Sequence, residues 1–455
     1  MLNYNKPDYT EQRNNDYLYI WKKPAHWLVV DKEFNFVLNM LDQNQDVESI
    51  ITDFAVKYNK DIKQAKSEIN QAINFLKSKS IIDKGKSGKS KKPGIDIVNI
   101  NLNITNDCNL SCKWCYNEKI KNSNLDIKHL IKSFKGIKNL ISKETSLIVL
   151  GGEPLLEKEK LFELLDFTDR FLKNPTLIAT NGTLIDKDFA RRLYTHNVEI
   201  QVSLDGSNES ENDKIRGNGN YKKALQGIHN LKKNNVYTIL SMVFSKENYN
   251  DIEHYLELGL KLGVDEVRFI PMRSIGRGKE LKSIIPDLFA VFKYFKNLMK
   301  NHPEYKKLLK RDFYTMLYNY CNYSIKYVNC GIGFKYLFVD ADGNVYPCPN
   351  HKTPAFAVGN INKEKLVDIF TKSRVMCGVR NDYDIENYQS CSKCYVSPWC
   401  LGDCRGEVFQ NYGDLNKPSL HCGEIKKLIT GMFWLISGKD KDIFSDKQNS
   451  LKNYY

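Results

Sequence analysis

The sequence lacks the apolar runs of about 18 residues from which membrane-spanning helices are built. Its apolar stretch at 428–437, LITGMFWLIS, is too short to cross a bilayer. The opening residues, MLNYNKPDYTEQRNN, do not show the charged and then apolar pattern of a secretory signal. We therefore expect a cytoplasmic protein with no membrane partner.

Motifs that interleave basic and aromatic residues for nucleic-acid binding are absent as well. The net charge is +14, but the lysines are spread along the chain, with one local cluster at 84–92. Net charge bears on solubility and association rather than on fold. We interpret the charge as a lysine-rich surface and predict no nucleic-acid partner.

The chain does contain enough apolar material for several cores. Hydrophobic residues make up 42% of its 455 residues and aromatic residues 12%, which argues against wholesale disorder. A size of roughly 100 to 200 residues per domain predicts two to four domains. Twelve cysteines would indicate disulfides in a small secreted chain. In a long chain without a signal sequence they indicate metal or redox chemistry instead.

The segment 84–94, KGKSGKSKKPG, predicts a basic flexible linker that separates a small domain, 1–83, from the rest. In that domain YLYIW and HWLVVD predict two strands joined by a turn at Pro24, followed by three helices. This order predicts a winged-helix-like domain. The third helix should bury a face made of Ile62, Ala65, Ile69, Ala72, Ile73 and Leu76.

Residues 95–309 alternate strand-like apolar runs with amphipathic segments. Such alternation predicts an α/β fold of parallel strands joined by helical crossovers. We prefer a partial (β/α)6 TIM-like barrel to a doubly wound sheet because of the cysteine motif that follows the first strand. The six predicted strands are IVNINLNIT, SLIVLGG, TLIATNG, VEIQVSLDG, VYTILSMVF and DEVRFIPM.

From 310 to 455 the periodicity breaks down into cysteine-rich, turn-rich sequence, with helical patterns near 362–374 and 423–437. Few apolar runs are available here to build a core. We therefore expect metal clusters to stabilise this C-terminal domain.

The first cysteine motif, NDCNLSCKWCY, follows the first predicted barrel strand. It spaces Cys108, Cys112 and Cys115 as Cys-x3-Cys-x2-Cys on one loop at the carboxyl end of that strand, where active sites of such folds lie. Three thiolates can hold three corners of a 4Fe-4S cube and leave the fourth iron open. A structural zinc site is the alternative, but it would want a fourth ligand.

This motif, with Trp114 before its last cysteine, resembles that of radical S-adenosylmethionine (SAM) enzymes. The resemblance extends over most of the chain. It implies that the three cysteines hold the catalytic cluster and that the amino and carboxylate groups of SAM chelate the open iron. It also implies that an electron from the cluster splits SAM to a 5'-deoxyadenosyl radical.

Further residues match SAM-binding positions of that family. Gly151, Gly152 and Glu153 match a GGE motif that admits SAM and meets its ammonium group. Arg216 resembles an arginine that pairs with the SAM carboxylate, which a guanidinium can do bidentately. Turn chemistry is the alternative for the strand-end residues among them. The remaining candidates are Tyr116 beside the adenine, Asn181 at the end of the third strand, and Ser203 and Asp205 near the ribose.

The later cysteines match the pattern of SPASM domains, and this resemblance implies two auxiliary 4Fe-4S clusters, three clusters in all. A zinc ribbon is the alternative, but it would show two Cys-x2-Cys pairs. Seven cysteines face eight iron corners, so one inner position is open, or filled by Cys321, another side chain or substrate. The expected ligands form an inner set, Cys330, Cys348 and Cys404, and an outer set, Cys391, Cys394, Cys400 and Cys422.

The N-terminal domain resembles the PqqD-like domains that capture a leader peptide by strand addition. DNA binding, the usual association of winged-helix domains, is less favoured because the second helical pattern carries Asp46, Glu48 and Asp53 rather than basic residues. The basic linker would suit an acidic leader.

Together these motifs resemble the sactipeptide and ranthipeptide maturases. That resemblance implies an oxidoreductase that installs a cross-link, foremost a cysteine thioether, in a ribosomally made precursor peptide with a leader. It also implies an electron donor such as flavodoxin or ferredoxin. The alternatives are a maturase that forms carbon-carbon or carbon-oxygen cross-links, and an anaerobic sulfatase-maturating enzyme that forms formylglycine.

Overall fold

A computed structural model describes residues 2–83, 94–117, 125–322 and 329–438. The predicted linker, apart from Gly94, and its lysine cluster lie outside the described residues. Within the described ranges, no helix combines the length and the apolar composition that crossing a bilayer requires.

The N-terminal unit is a three-stranded antiparallel sheet, in the order β1-β2-β3, followed by three helices. Both predicted strands and all three predicted helices are present, and the structure adds a first strand. Sequence analysis missed β1 because YTEQR is polar and lies at the sheet edge, so it shows no apolar alternation. The elements are β1 (Tyr9–Arg13), β2 (Asp16–Trp21), β3 (His26–Val30), α1 (Lys32–Asp42), α2 (Val47–Tyr58) and α3 (Ile62–Ser78).

Each helix of this unit begins after an aspartate. The side chains of Asp31, Asp46 and Asp61 accept hydrogen bonds from backbone N–H groups of the first turn, which satisfies donors that have no partner inside the helix. The predicted buried face of α3 is present except at Ile62. This residue is 51% exposed because it is the first of the helix and lies beyond the core.

The main sheet has nine strands in the order β12-β11-β10-β4-β5-β6-β7-β8-β9. All six predicted barrel strands are present, and they pair in parallel in chain order. They are β4 (Ile97–Asn103), β5 (Ile141–Leu150), β6 (Thr176–Thr180), β7 (Val198–Ser203), β8 (Tyr237–Phe244) and β9 (Glu266–Pro271). Helices join them: α4 (Ile127–Gly136), α5 (Lys158–Phe171), α6 (Lys187–Leu193), α7 (Glu209–Arg216), α8 (Asn220–Lys233) and α9 (Ile252–Leu262).

The C-terminal region contributes the remaining strands of the same sheet. β10 pairs in parallel with β4, with Tyr336 opposite Asn99. The sheet therefore continues across the predicted domain boundary at 309/310. The elements are α10 (Leu288–Asn301), α11 (Phe313–Asn322), β10 (Tyr336–Val339), β11 (Asn344–Tyr346), β12 (Gly359–Asn360), α12 (Leu366–Lys372), α13 (Arg374–Asp382), α14 (Gln389–Ser392), α15 (Ser397–Cys400), α16 (Arg405–Tyr412) and α17 (Cys422–Ser437).

Short 3-10 helices complete the connections. Two of them matter for the site because they directly follow predicted ligand or cofactor residues: one follows the GGE motif and one follows Cys348. They span Lys138–Leu140, Pro154–Glu157, Tyr249–Asp251, Gly276–Ile284, Pro303–Leu308, Pro349–His351, Pro354–Phe356 and Ile385–Asn387.

The sheet of the N-terminal unit is covered on both faces. Along β2, Leu18 and Ile20 join the core of the main body, while Tyr19 and Trp21 join the core formed with α1 to α3. This is the period of two expected of a strand between two layers. In β3, Trp27 stacks on Phe433 of α17 at 4.8 Å between ring centroids. The N-terminal unit is therefore docked on the C-terminal helix.

Candidate active site

A cavity of about 430 Å³ lies at the carboxyl ends of the parallel strands. These ends meet at one edge of the sheet, which is where α/β proteins bind ligands. The loop after β4 brings the first three cysteines to this cavity. Every residue predicted to hold SAM or the radical cluster lines it except Glu153: Cys108, Cys112, Cys115, Tyr116, Gly151, Gly152, Asn181, Ser203, Asp205 and Arg216.

The three loop thiols are close enough to affect one another. Burial raises the pKa of Cys108, and the thiols of Cys112 and Cys115 raise it further. Burial also raises the pKa of Cys112, while the Arg216 guanidinium opposes that rise. Binding to iron would remove the protons of these thiols. The arrangement fits three ligands of one cluster.

The two glycines of the GGE motif allow the loops after β4 and β5 to touch. A Cβ atom at Gly151 would lie 2.3 Å from the carbonyl oxygen of Thr105, and one at Gly152 would lie 2.1 Å from that of Asp107. Gly151 also has φ +139°, which side chains disfavour. The Gly152 N–H donates to the Thr105 carbonyl at 2.8 Å. Both glycines thus hold the cysteine loop in place, beside their predicted role of admitting SAM.

Glu153 does not line the cavity, although sequence analysis predicts that this motif meets the SAM ammonium. Its carboxylate is fully buried and accepts hydrogen bonds from the Thr180 hydroxyl at 2.6 Å and the Asn181 N–H at 2.8 Å. The Leu155 N–H donates to it at 3.0 Å. The buried carboxylate therefore ties the end of β5 to the end of β6. Its effect on SAM would be exerted through the loops it positions.

Asn181 connects the end of β6 to the cysteine loop. Its side-chain amide donates to the side-chain oxygen of Asn109 at 2.8 Å, and its own oxygen accepts from the Thr183 N–H at 3.0 Å. The turn chemistry considered for Asn181 is therefore present in the structure. Ser203 ends β7, opposite Ser241 of β8, and both line the cavity.

Asp205 and Arg216 form a buried ion pair at the cavity. The Nε atom of Arg216 lies 2.8 Å from Oδ2 of Asp205, whose side chain is fully buried. The Val243 N–H donates to the other carboxylate oxygen at 2.9 Å. Burial raises the pKa of Asp205, and the guanidinium opposes that rise. Sequence analysis places these residues at the ribose and at the SAM carboxylate, and it did not foresee that they pair with each other.

Tyr116 is 37% exposed and lines the cavity next to the cysteine loop. Trp114 is buried and packs against Ile215 and Met272. The N–H of Arg277 donates to the Cys115 carbonyl at 3.0 Å, so the segment after β9 closes over the loop.

Sequence analysis missed Arg273, which follows β9 and lines the cavity. Its Nη1 lies 2.9 Å from Asp403 and 2.8 Å from Glu407, the residues that flank Cys404 of the inner set. Although burial disfavours the charged form, Asp403, Cys404 and Glu407 raise the pKa of Arg273. In the sequence, Arg273 is marked only by its position shortly after the predicted strand that forms β9. Its partner Glu407 lies 134 residues further along the chain.

A buried polar network joins the cysteine loop to the C-terminal region. The ammonium of Lys352 lies 2.9 Å from Asp340, which is fully buried. It also donates to the side-chain oxygens of Asn117 at 2.9 Å and Asn106 at 3.2 Å. Lys352 follows Cys348 by four residues, so the radical loop and the inner set are mechanically linked.

The inner and outer cysteine sets, predicted from the SPASM resemblance, are also brought together. Burial raises the pKa of Cys348 well above its usual range, and the thiols of Cys404 and Cys330 raise it further. In the outer set burial raises the pKa of Cys400, with further increases from Asp403 and from the thiols Cys394, Cys391 and Cys422.

Among the residues that the structure describes, no three His, Cys, Asp or Glu side chains converge tightly enough to hold one metal ion. A cube binds each thiolate through a different iron atom, so its ligands stand further apart than those of one ion.

Comparison with known proteins assigns two regions of the chain. Residues 102–259 match the Radical SAM superfamily, and residues 330–395 match SPASM, described as an iron-sulfur cluster-binding domain. The first match contains the loop after β4, and the second begins at Cys330. Both matches agree with the cysteine motifs.

Two curated relatives align over most of their own length. An AdoMet-dependent heme synthase of Methanosarcina barkeri is 26% identical over 70% of this chain and 94% of its own. The radical SAM cyclopropyl synthase TigE of Paramaledivibacter caminithermalis is 24% identical over 88% of each chain.

Two solved structures share the fold. Streptococcus suis SuiB bound to its precursor peptide SuiA superposes with a TM-score of 0.61 at 15% identity, over 91% of this chain and 98% of SuiB. The enzyme anSMEcpe with bound AdoMet and Kp18Cys peptide gives 0.60 at 19% identity, over 74% of this chain and 97% of its own.

Proposed function

We propose that this enzyme, which carries a radical SAM domain followed by a SPASM iron-sulfur domain, installs a cysteine thioether in a ribosomally made precursor peptide. The observation that carries the proposal is the shared cavity. The radical loop lines it on one side, and Pro349 and Asn350, which directly follow Cys348 of the inner set, line it on the other. A substrate in this cavity would contact both cysteine regions.

Cys108, Cys112 and Cys115 would hold the radical cluster, and Arg216, Ser203, Asn181 and Tyr116 would hold SAM. Bound there, the cluster and SAM supply a 5'-deoxyadenosyl radical that takes a hydrogen atom from the substrate. The protein holds the reacting groups in place and excludes water. Asp205 orients Arg216, and Glu153 fixes the two loops on which Gly152 and Asn181 lie. Closing the thioether would release the thiol proton of the substrate cysteine and one electron, which an auxiliary cluster at the inner set would accept.

Three clusters are part of the proposal: one at the radical loop, one at the inner set and one at the outer set. The six parallel strands would curve into the partial barrel, whose mouth carries the radical loop. An electron donor such as flavodoxin or ferredoxin would reduce the radical cluster. The enzyme would work in the cytoplasm, where such donors are found.

A peptide substrate is supported by the N-terminal unit. The share of this chain that is covered rises from 74% with anSMEcpe to 91% with SuiB, whose structure contains a precursor peptide. TigE, a cyclopropyl synthase, also aligns over 88% of this chain. We propose that the N-terminal unit is a PqqD-like winged-helix domain and that β1 or β3, the edge strands of its sheet, pairs with a leader peptide.

The alternatives keep the same radical chemistry and change the bond. A maturase that forms carbon-carbon or carbon-oxygen cross-links would use the same residues. An anaerobic sulfatase-maturating enzyme that forms formylglycine is less favoured, because such enzymes generally lack the N-terminal unit. They also carry a further cysteine soon after the one equivalent to Cys330, and no cysteine lies between Cys330 and Cys348 in this sequence.

Anaerobic reconstitution with iron and sulfide tests the proposal. We expect about twelve irons in the wild type and about eight in the Cys108→Ala, Cys112→Ala, Cys115→Ala triple variant. The triple variant should release no 5'-deoxyadenosine with dithionite, while Cys377→Ala, outside all three sets, should match the wild type. Co-expression with a short cysteine-rich reading frame beside its gene should yield a peptide that has lost two hydrogen atoms per cross-link. Bound zinc, or four irons without deoxyadenosine, would overturn the proposal.

A further inference from the structure

The 3-10 turn after Cys348 directs polar groups at the inner set. His351, at the end of this turn, is only 2% exposed, and its Nδ1 lies 3.0 Å from the Cys348 sulfur. Its Nε2 lies 2.6 Å from the Tyr383 hydroxyl. A thiolate bound to iron has no proton to give, so Nδ1 must carry the hydrogen and Nε2 must accept from Tyr383. The chain of bonds thus runs from Tyr383 through His351 to Cys348.

His351 is poorly placed to be the missing fourth ligand of the inner cluster. Two ligands of one cube bind different irons, and they cannot approach to hydrogen-bond distance and still do so. The contact of 3.0 Å is instead that of a donor and a sulfur acceptor. His351 therefore acts on the cluster through Cys348.

The preceding residue serves a second inner cysteine. The side-chain amide of Asn350 donates to the Cys404 sulfur at 3.2 Å. The backbone oxygen of Asn350 accepts from Gln410 of α16 at 2.8 Å, which fixes the turn against the helix that follows Cys404. One turn of three residues thus presents donors to two of the three inner thiols.

Arg405 supplies positive charge beside the third thiol. Its residue is 4% exposed, and its Nη1 donates to the carbonyls of Leu415 and Lys417 at 2.8 and 2.9 Å. Its Nε and Nη2 are buried and have no hydrogen-bond partner among the residues that the structure describes. The guanidinium also acts electrostatically on Cys330. A buried cation without a counter-charge is unfavourable, and a cluster held by three thiolates would provide that charge.

We propose that His351, Asn350 and Arg405 form a donor shell that raises the reduction potential of the inner auxiliary cluster. The inference rests on the proposed function in that it requires an inner cluster. Reduction adds negative charge to a cluster, so donors and cations beside its sulfur atoms stabilise the reduced form more than the oxidised form. Removing any one of the three should make the potential more negative.

The test uses the full chain, reconstituted anaerobically, with Cys108, Cys112 and Cys115 replaced by Ala so that only auxiliary clusters contribute. Redox titrations followed by electron paramagnetic resonance should show two reduction steps. In His351→Leu we expect the midpoint potential of one step to become more negative by ~59 mV. For a one-electron couple this is about a tenfold change in the ratio of reduced to oxidised cluster. Arg405→Met should move the same step in the same direction.

Two matched variants separate redox tuning from a structural effect. His351→Gln keeps an N–H near Cys348 and should recover part of the shift. Ser390→Ala removes a hydroxyl 4.0 Å from the Cys391 sulfur of the outer set and should leave both steps in place. If His351→Leu fails to retain iron, Tyr383→Phe decides, because it keeps the imidazole and removes only the bond that fixes its tautomer. A smaller negative shift is then expected.

The failures are distinguishable. Unchanged potentials in His351→Leu and Arg405→Met, with about eight irons retained, would overturn the donor shell and leave the proposed function standing. Unchanged potential in Tyr383→Phe, where it is the deciding variant, would do the same. About four irons and a single step in the parent chain would overturn both, since no inner cluster would then exist.

Discussion

The inner and outer cysteine sets differ in what surrounds them. The inner set adjoins the cavity through Pro349 and Asn350, and polar side chains contact two of its three thiols, those of Cys348 and Cys404. The outer set has one such side-chain contact in the described part of the chain, the Ser390 hydroxyl at 4.0 Å from Cys391. The surroundings of the inner set would therefore act directly on a cluster bound there.

The outer set instead borders the N-terminal unit. Tyr395, next to Cys394, stacks on Tyr9 of β1 with 4.1 Å between ring centroids. Lys22 pairs with Glu386 at 3.3 Å and also contacts the Ser392 carbonyl. We therefore propose that the two sets have different roles. The inner set would take part in the reaction, and the outer set would anchor the N-terminal unit, which is proposed to bind the leader.

The proposed difference between the two sets is tested most strongly by removing one cysteine from each. Cys404→Ala and Cys422→Ala should each leave about eight irons of about twelve. We expect the inner variant to lose at least about 100-fold in cross-linked product and the outer variant about 10-fold, the range seen when the surroundings of a metal site are altered. Deoxyadenosine release should persist in both. Equal losses of product in the two variants, measured by mass spectrometry, would contradict the proposed difference in role between the two sets.

The next largest effect concerns Arg273, which connects the segment after β9 to both cysteine sets. Its partners Asp403 and Glu407 flank Cys404, and Ser419 and His421, just before Cys422, contact the same two carboxylates. Arg273→Met would remove the cation that pairs with both buried carboxylates and leave Asp403 with the Ser419 hydroxyl and Glu407 with His421. We expect a loss of about 3–5 kcal/mol in stability.

The melting temperature of the anaerobically reconstituted protein measures this loss. Arg191→Met is the matched control, because Arg191 pairs with Asp188 on the surface with a side chain that is 76% exposed. The control should melt with the wild type. A melting temperature of Arg273→Met equal to that of the control would show that the segment after β9 and the C-terminal region are held together by other contacts.

Much of this arrangement could be predicted from local sequence. The six parallel strands β4 to β9 show short strand-like runs rich in apolar residues, and the spacing of Cys108, Cys112 and Cys115 predicts one loop. The grouping of the later cysteines into two sets followed from resemblance, and the structure brings the same residues together. Local periodicity and fixed spacing carry such information because they involve neighbours in the chain.

The rest depends on contacts that no local pattern encodes. The Glu153 carboxylate looks like a SAM ligand in the motif, yet its partners Thr180 and Asn181 belong to another strand. β10 pairs with β4 in the main sheet, with Phe338 opposite Asn101, although more than 200 residues separate the two strands in the chain. Similarly, nothing in the sequence around His351 indicates that its two ring nitrogens contact Cys348 and Tyr383.

A smaller effect should follow from loosening the contact between the outer set and the N-terminal unit. Tyr9→Ala removes the stack on Tyr395, and aromatic pairs contribute about 0.5–1.5 kcal/mol beyond the area they bury. Tyr194→Ala, at a tyrosine 68% exposed, is the matched control. We expect a lower melting temperature for Tyr9→Ala and an unchanged iron content. Loss of iron would mean that docking of the N-terminal unit is needed to hold the outer cluster.

The smallest effect is expected for Glu386→Gln. Glu386 lies 3.3 Å from Lys22 and 3.1 Å from Lys23, and its side chain is 34% exposed, so water and salt screen both pairs. Such pairs contribute under about 1 kcal/mol. The melting temperatures of Glu386→Gln and the wild type should differ slightly at low salt and converge at high salt. A difference that persists at high salt would mean that Glu386 acts through buried contacts. The contact between the outer set and the N-terminal unit would then depend on buried polar groups, as the surroundings of the inner set do.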